Sequence, residues 1–203
     1  MITTLIFDFG DVFINLDKQG AMQNALKLFE LDTFDADMVE TNIQYEIGKI
    51  STDEFLNFYL SKFPKLNRQE VIDAWNYIIK DFPKYRFNFI KSLFNDKQYR
   101  LILLSNTNDM HIDFIKQNVG FYKDFKMCFD QFYLSQEIHL RKPNKDIFEF
   151  VLEENNLKPY ECLFIDDTKE NTGTANTMGI YTWNIDETKE DIINLFEIKN
   201  EVF

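Results

Sequence analysis

The chain has 203 residues, 45% of them hydrophobic and 22 of them Phe, which is apolar volume enough for one independently folded core with room for a small insertion. Acidic residues number 34 against 22 basic ones, and the formal charge of −12 excludes a non-specific nucleic-acid binder, whose affinity rests on cations neutralising phosphates, and disfavours attraction to anionic lipid. No apolar run approaches the roughly 20 residues of a membrane span, the first residues lack the basic start of a secretory signal, and two Cys and two His argue against a disulfide framework or a His-rich zinc site. The expectation is a soluble cytoplasmic protein with neither nucleic acid nor membrane as partner.

In chain order, residues 2–7 form a short apolar run of buried-strand length that stops at Asp8. The stretch from about Asp17 to Asp81 reads as successive amphipathic helices with no convincing strand, broken near Gly48, Pro64 and Pro83. A helical pattern over 86–95 precedes a second apolar run, 101–104, which ends at Ser105. A helix is predicted over 109–118 and a weaker strand near 127–134. The basic turn Arg141-Lys142-Pro143 then leads into a helix over 145–155, with Ile147, Phe148, Val151 and Leu152 at helical spacing. The third strong run, 162–165, ends at Asp166-Asp167. After the turn signal at Gly179 a strand is predicted at 180–183, and the tail 186–203 reads as helical with an acidic outer face. Strands alternating with helices predict a three-layer α/β fold built on a parallel sheet.

Ligands of an open parallel sheet gather beyond the carboxyl ends of its strands. Those ends carry Asp8, Ser105 and the pair Asp166-Asp167, with Lys142 a short connection away. Carboxylates from neighbouring strands grip a hard cation such as Mg²⁺, a Ser hydroxyl and a Lys ammonium hold phosphate oxygens, and Asp8 can act as a nucleophile forming an acyl phosphate. Taken singly, an Asp after a strand is more often a turn residue, and Ser105-Asn106 could be a helix cap. Adjacent acids at a buried strand end are sharper evidence, because they repel unless a cation or a set of N–H donors offsets them.

The segments LIFDFGDVFINLD, LILLSNTN, HLRKPNKDIF and CLFIDDTKENTGTANTMGI, in this order and spacing, resemble the four motifs of the haloacid dehalogenase (HAD) superfamily, most of whose members are aspartate-dependent phosphatases. The phrase YEIGKISTDEF resembles the family's first type of helical cap. The resemblance implies a Rossmann-like core made of residues 1–16 and 84–203, with residues 17–83 inserted after the first strand as a helical cap. It implies Asp8 as nucleophile, Mg²⁺ held by Asp8, the Gly10 backbone carbonyl and Asp166, Asp167 in support of the metal shell, and Asn171 ordering the fourth-motif loop. Ser105 and Asn106 would bind the phosphate, and Lys142 would offset charge on the nucleophile and phosphoryl oxygens. The implied reaction is hydrolysis of a small phosphorylated metabolite through an aspartyl phosphate. Oligomeric state is not legible.

One position departs from the pattern. The family's second motif-one Asp, its general acid/base, falls at Gly10, and an acid follows one place later at Asp11. A positioned acid/base is worth about 10²–10⁴-fold in rate. Three accounts stand open: Asp11 replaces the missing carboxylate; the substrate carries an easily released group, as a sugar 1-phosphate does, in keeping with a resemblance to the α-D-glucose-1-phosphate phosphatase branch; or the protein is a silent metal- or phosphate-binding module. The superfamily's 2-haloacid dehalogenases also lack that Asp, but the retained Asp166-Asp167 pair favours a metal and phosphate over carbon–halogen chemistry. His111 is a candidate auxiliary proton carrier, and the region of Tyr45, Glu46 and Lys49 a candidate substrate contact. Cys128, Cys162, Trp75 and Trp183 read as packing residues.

Overall fold

The computed structural model describes all 203 residues, Met1–Phe203. Five parallel strands, β1 (Thr4–Phe7), β2 (Arg100–Ser105), β3 (Gln131–Leu134), β4 (Cys162–Asp166) and β5 (Tyr181–Asn184), form one sheet in the order β3-β2-β1-β4-β5. The apolar runs become strands because both faces of this sheet are covered. Leu5, Phe7, Leu101, Leu103, Leu163 and Ile165 pack into one core, while Ile6, Ile102, Leu104 and Phe164 pack into a second on the opposite face. Successive side chains of a strand alternate faces, so burial on both sides demands continuous hydrophobicity rather than alternation.

The core's helices are α5 (Lys84–Asp96), α6 (Asp109–Asn118), α7 (Tyr122–Lys126), α8 (Ser135–Ile138), α9 (Lys145–Glu154), α10 (Lys169–Thr177) and α11 (Leu195–Ile198). Between β1 and α5 lie four others: α1 (Lys18–Phe29), α2 (Ala36–Glu46), α3 (Thr52–Lys62) and α4 (Arg68–Asn76). Their starts are capped by Asp17, Asp35, Ser51 and Asn67, the last two in full capping boxes with Glu54 and Glu70. They share their own apolar centre of Phe29, Met38, Tyr45, Phe55, Leu56, Tyr59 and Val71, joined from the sheet side by Met110. The chain leaves and re-enters the sheet through two antiparallel segments: Asn15 N–H donates to Asp81 O and Lys80 N–H to Asn15 O, each at 2.9 Å, and Asp17 N–H reaches Ile78 O. No helix is long and apolar enough to cross a membrane.

Two sequence expectations change. The strand predicted from 127 begins only at Gln131, because the preceding residues turn and Asp130 accepts the Leu101 N–H at 2.8 Å. The tail is not one helix but two 3₁₀ turns around the single turn of α11. Its acids do not all face outward: Asp191 binds Arg86 and Tyr85, and Glu190 accepts from Trp183 Nε1 and Asp186 N–H. These tertiary bonds satisfy the segment's polar groups without helix, so helical periodicity does not decide its shape.

Candidate active site

Strand order reverses at β1, which is flanked by β2 and β4, and the polar residues converge at its carboxyl end. Phe7 is level with Ile165, and Asp8 N–H continues the ladder to Ile165 O at 2.9 Å. Asp8 therefore lies beside Asp166.

Lys142 occupies the space between them. Its side chain is 1% exposed, with Nζ 2.9 Å from Asp8 Oδ1 and 2.6 Å from Asp166 Oδ2. Burial opposes the lysine charge, but the two carboxylates outweigh it and raise its pKa. Burial likewise pushes the Asp8 carboxyl up to about 7, against the opposing pull of Lys142 and with further upward push from Asp166. Asn106 fixes the lysine's backbone: its Nδ2 donates to Lys142 O and its Oδ1 accepts from Lys142 N–H, both at 2.9 Å. The Asn106 side chain is thus committed to placing Lys142, and its N–H, like those of Phe9 and Gly10, has no partner within the protein. Ser105 is 3% exposed at the end of β2, with only a long 3.5 Å contact from its hydroxyl to Asn106 O.

The acidic pair divides. Asp166 is fully buried, and protein donors take up both its oxygens: Thr168 N–H at 2.8 Å, Asn171 Nδ2 at 3.0 and 3.1 Å, and Lys142 Nζ. Asp167 instead lines a polar cavity of about 390 Å³ together with Asp8, Gly10, Asn106, Lys142 and Asn171. Burial raises the Asp167 pKa, partly offset by Lys18, which pairs with Oδ2 and leaves Oδ1 free. Oxygens of Asp8, Asp166 and Asp167 lie within 4.8 Å of one another, a hard-oxygen donor set that fits Mg²⁺. Protein donors thus occupy Asp166, while Asp167 is the member of the pair that lines the cavity with Asp8 and Gly10. Asn184, unnoticed in the sequence, pins the backbone of both acids by donating to Asp166 O and Asp167 O.

Asp11 does not enter this cavity. Its backbone is left-handed (φ 54°), and its carboxylate accepts from Leu16 N–H at 2.8 Å and pairs with Lys18 Nζ at 2.9 Å. A Cβ at Gly10 would stand 2.6 Å from Leu16 Cδ1, so an aliphatic side chain fills the space into which a side chain at position 10 would project. The expectation of Asp11 as acid/base therefore finds no geometric support here. Its oxygens serve the turn that leads into α1.

His111 is half-buried, with both ring nitrogens engaged. One ring nitrogen contacts Asn108 at 3.1 Å and the other contacts Trp75 O at 3.0 Å, and burial lowers its pKa to about 4. It is a neutral link between α6 and α4, unsuited to carrying protons. Tyr45 is a buried packing residue whose hydroxyl accepts from Met110 N–H, Glu46 pairs with Arg141 at 2.6 Å, and Lys49 is exposed. Cys128, Cys162 and Trp183 are buried. Trp75 packs on Phe55 and Tyr59 and also lines a second cavity. That cavity, about 550 Å³ and largely apolar, lies between α1, α2, α4 and the sheet-side residues Asn108, His111 and Arg141; Lys18 and Arg141 line both cavities.

Comparison with known proteins places these features in context. The family model described as haloacid dehalogenase-like hydrolase matches residues 2–179. The chain is 30% identical to D-ribitol-5-phosphate phosphatase of Bacteroides thetaiotaomicron over 90% of this chain and 91% of that one. It is also similar to a HAD-family enzyme of Bacteroides thetaiotaomicron solved as a magnesium complex (33% identity, 96% and 98% of the two chains, TM-score 0.84) and with magnesium and inorganic phosphate (32%, 97% and 100%, TM-score 0.81). A predicted HAD-like hydrolase of Porphyromonas gingivalis aligns over 98% of both chains at 30% identity, with a TM-score of 0.83.

Proposed function

The chain belongs to the haloacid dehalogenase-like hydrolase family, and from that premise we propose that it is a Mg²⁺-dependent phosphatase acting on a small phosphorylated metabolite through an aspartyl phosphate. The observation that carries the reading is the triad Asp8–Lys142–Asp166: one oxygen of Asp8 is held by a buried ammonium, and its other oxygen is free at the wall of a polar cavity. The relatives named above, a phosphatase and an enzyme crystallised with magnesium and inorganic phosphate, support it.

In this reading Asp8 Oδ2 attacks phosphorus in line with the leaving oxygen, and water later cleaves the acyl phosphate. Lys142 offsets charge on Asp8 and the equatorial oxygens, and the unpaired N–H groups of Phe9, Gly10 and Asn106, with the Ser105 hydroxyl, bind phosphoryl oxygens. Asp8, the Gly10 carbonyl and Asp167 would hold Mg²⁺, while Asp166 positions Lys142 and Asn171. When bound, the cation supplies charge stabilisation to the phosphoryl oxygens. Residues 17–83 would act as a cap, with the 550 Å³ cavity beneath it receiving the organic group.

Gly10 argues for a substrate whose leaving group departs readily, such as a sugar 1-phosphate, whereas the ribitol-5-phosphate phosphatase relative points to a polyol phosphate. A small sugar or polyol phosphate covers both. The test is phosphate release from p-nitrophenyl phosphate, glucose 1-phosphate, glucose 6-phosphate and ribitol 5-phosphate, with Mg²⁺ or with chelator. Release that requires Mg²⁺ and vanishes in Asp8→Asn is the expected result. An inert wild-type protein across this panel, or an Asp8→Asn variant as active as the wild type, would overturn the reading.

A further inference from the structure

A phosphomonoester bound as proposed has its phosphoryl group in the 390 Å³ cavity and its organic group in the 550 Å³ cavity. Its bridging oxygen must then lie at the seam, and two cations line both spaces, Lys18 and Arg141. Arg141 is engaged by Glu46 of α2. Lys18 stands on the side of the site where the acid/base is missing: it is two residues beyond Leu16, whose side chain closes off Gly10, and it pairs with Asp11 and Asp167. Those two carboxylates hold the ammonium at the edge of the site, and with its side chain 49% exposed it stays accessible to a ligand, with N–H donors to spare.

We infer that Lys18 is the leaving-group contact of this enzyme: its ammonium donates to the bridging oxygen and holds the negative charge that develops there. The inference rests on the phosphatase reading and adds to it a residue from the first helix after β1. As the Asp8 Oδ–P bond forms and the bridging P–O bond breaks, the departing oxygen keeps the electron pair as an alkoxide beside the ammonium. A water protonates that alkoxide, and the hydroxide so formed attacks the aspartyl phosphate, releasing inorganic phosphate and the Asp8 carboxylate. The net reaction is ester plus water to alcohol plus phosphate. Lys18 thereby replaces by charge what an acid at position 10 would supply by proton transfer.

The test compares wild type, Lys18→Met and Lys18→Arg on p-nitrophenyl phosphate, phenyl phosphate and glycerol 1-phosphate, whose leaving groups become progressively poorer. Removing a donor from a developing oxyanion costs about 10²–10³-fold, so Lys18→Met should lose roughly 10²-fold in kcat on glycerol phosphate and no more than about threefold on p-nitrophenyl phosphate, with Lys18→Arg between. A parallel loss on all three esters would mean that Lys18 only braces Asp167 and Asp11, and would overturn the inference while leaving the phosphatase reading intact. No loss on any ester would overturn it too. A wild-type protein inert with Mg²⁺ toward these esters and toward the sugar and polyol phosphates above would instead remove the reading on which it rests. Should Lys18→Met fail to fold, Lys18→Gln and Lys18→Arg carry the same comparison.

Discussion

Leu16 and Gly10 are a matched pair: Cδ1 of the leucine lies 2.6 Å from where a Cβ at the glycine would stand. The volume that a side chain at position 10 would need is thus held by an aliphatic group of the segment leading into α1.

Restoring the acid should consequently need two changes. Gly10→Asp alone should overpack the site, costing about 1–3 kcal/mol, with little gain in turnover. Gly10→Asp with Leu16→Ala should raise kcat on an alkyl phosphate at least about tenfold, within the 10²–10⁴ range of a positioned acid. Thermal melts and kinetics of the double-mutant cycle check both numbers, and additivity would disprove the pairing.

The two adjacent acids should fail differently. Asp166→Asn leaves Lys142 buried with one charged partner and should cost about 3–5 kcal/mol of stability, the penalty for breaking a buried ion pair. Asp167→Asn keeps the Lys142 network and should cost about 1 kcal/mol or less, yet weaken Mg²⁺ binding by at least about tenfold. Denaturant melts and calorimetric Mg²⁺ titrations separate the two effects. The opposite pattern would return the metal to Asp166.

Mg²⁺ affinity should rise with pH. The Asp8 carboxyl is raised from 3.8 to about 7 by burial, so its contribution to metal-free stability is complete at low pH and is lost as pH rises through about 7, where the buried carboxylate ionises. A cation competes with that proton. Below pH 7 the apparent affinity should therefore weaken by up to about tenfold per pH unit. Titrations at pH 5.5, 6.5 and 7.5 measure the slope, and Asp8→Asn should flatten it.

His111 should contribute an acid-sensitive part of the stability. Its folded pKa of about 4 lies below the ordinary value of 6.5 because burial disfavours the imidazolium. The unfolded chain thus binds the extra proton first. Stability from the neutral ring is complete above about pH 6.5 and declines as pH falls towards 4, by up to about 3 kcal/mol. Urea melts between pH 4 and 7 should show a steeper acid loss in wild type than in His111→Gln.

What the sequence determined by itself was local or repetitive. Continuous apolar runs of four to six residues can be stable only as doubly covered strands, and the residues ending them are delivered to one rim by parallel topology, so Asp8, Ser105 and Asp166-Asp167 were legible before any coordinates. The helix over Asp109–Asn118 was legible for a similar reason, since its periodicity lies within its own span, although its cap is Asn108 rather than Ser105-Asn106. Tertiary structure alone decided which of two neighbouring acids faces the cavity, because that depends on Lys142, Asn171 and Asn184 arriving from other segments. It alone turned Asp11 towards Leu16 and Lys18, set the His111 ring against the Trp75 carbonyl, and folded the tail's acids back onto Arg86 and Trp183. A charge or hydrogen bond takes its meaning from partners within a few ångströms, and those partners are set by packing between segments far apart in the chain.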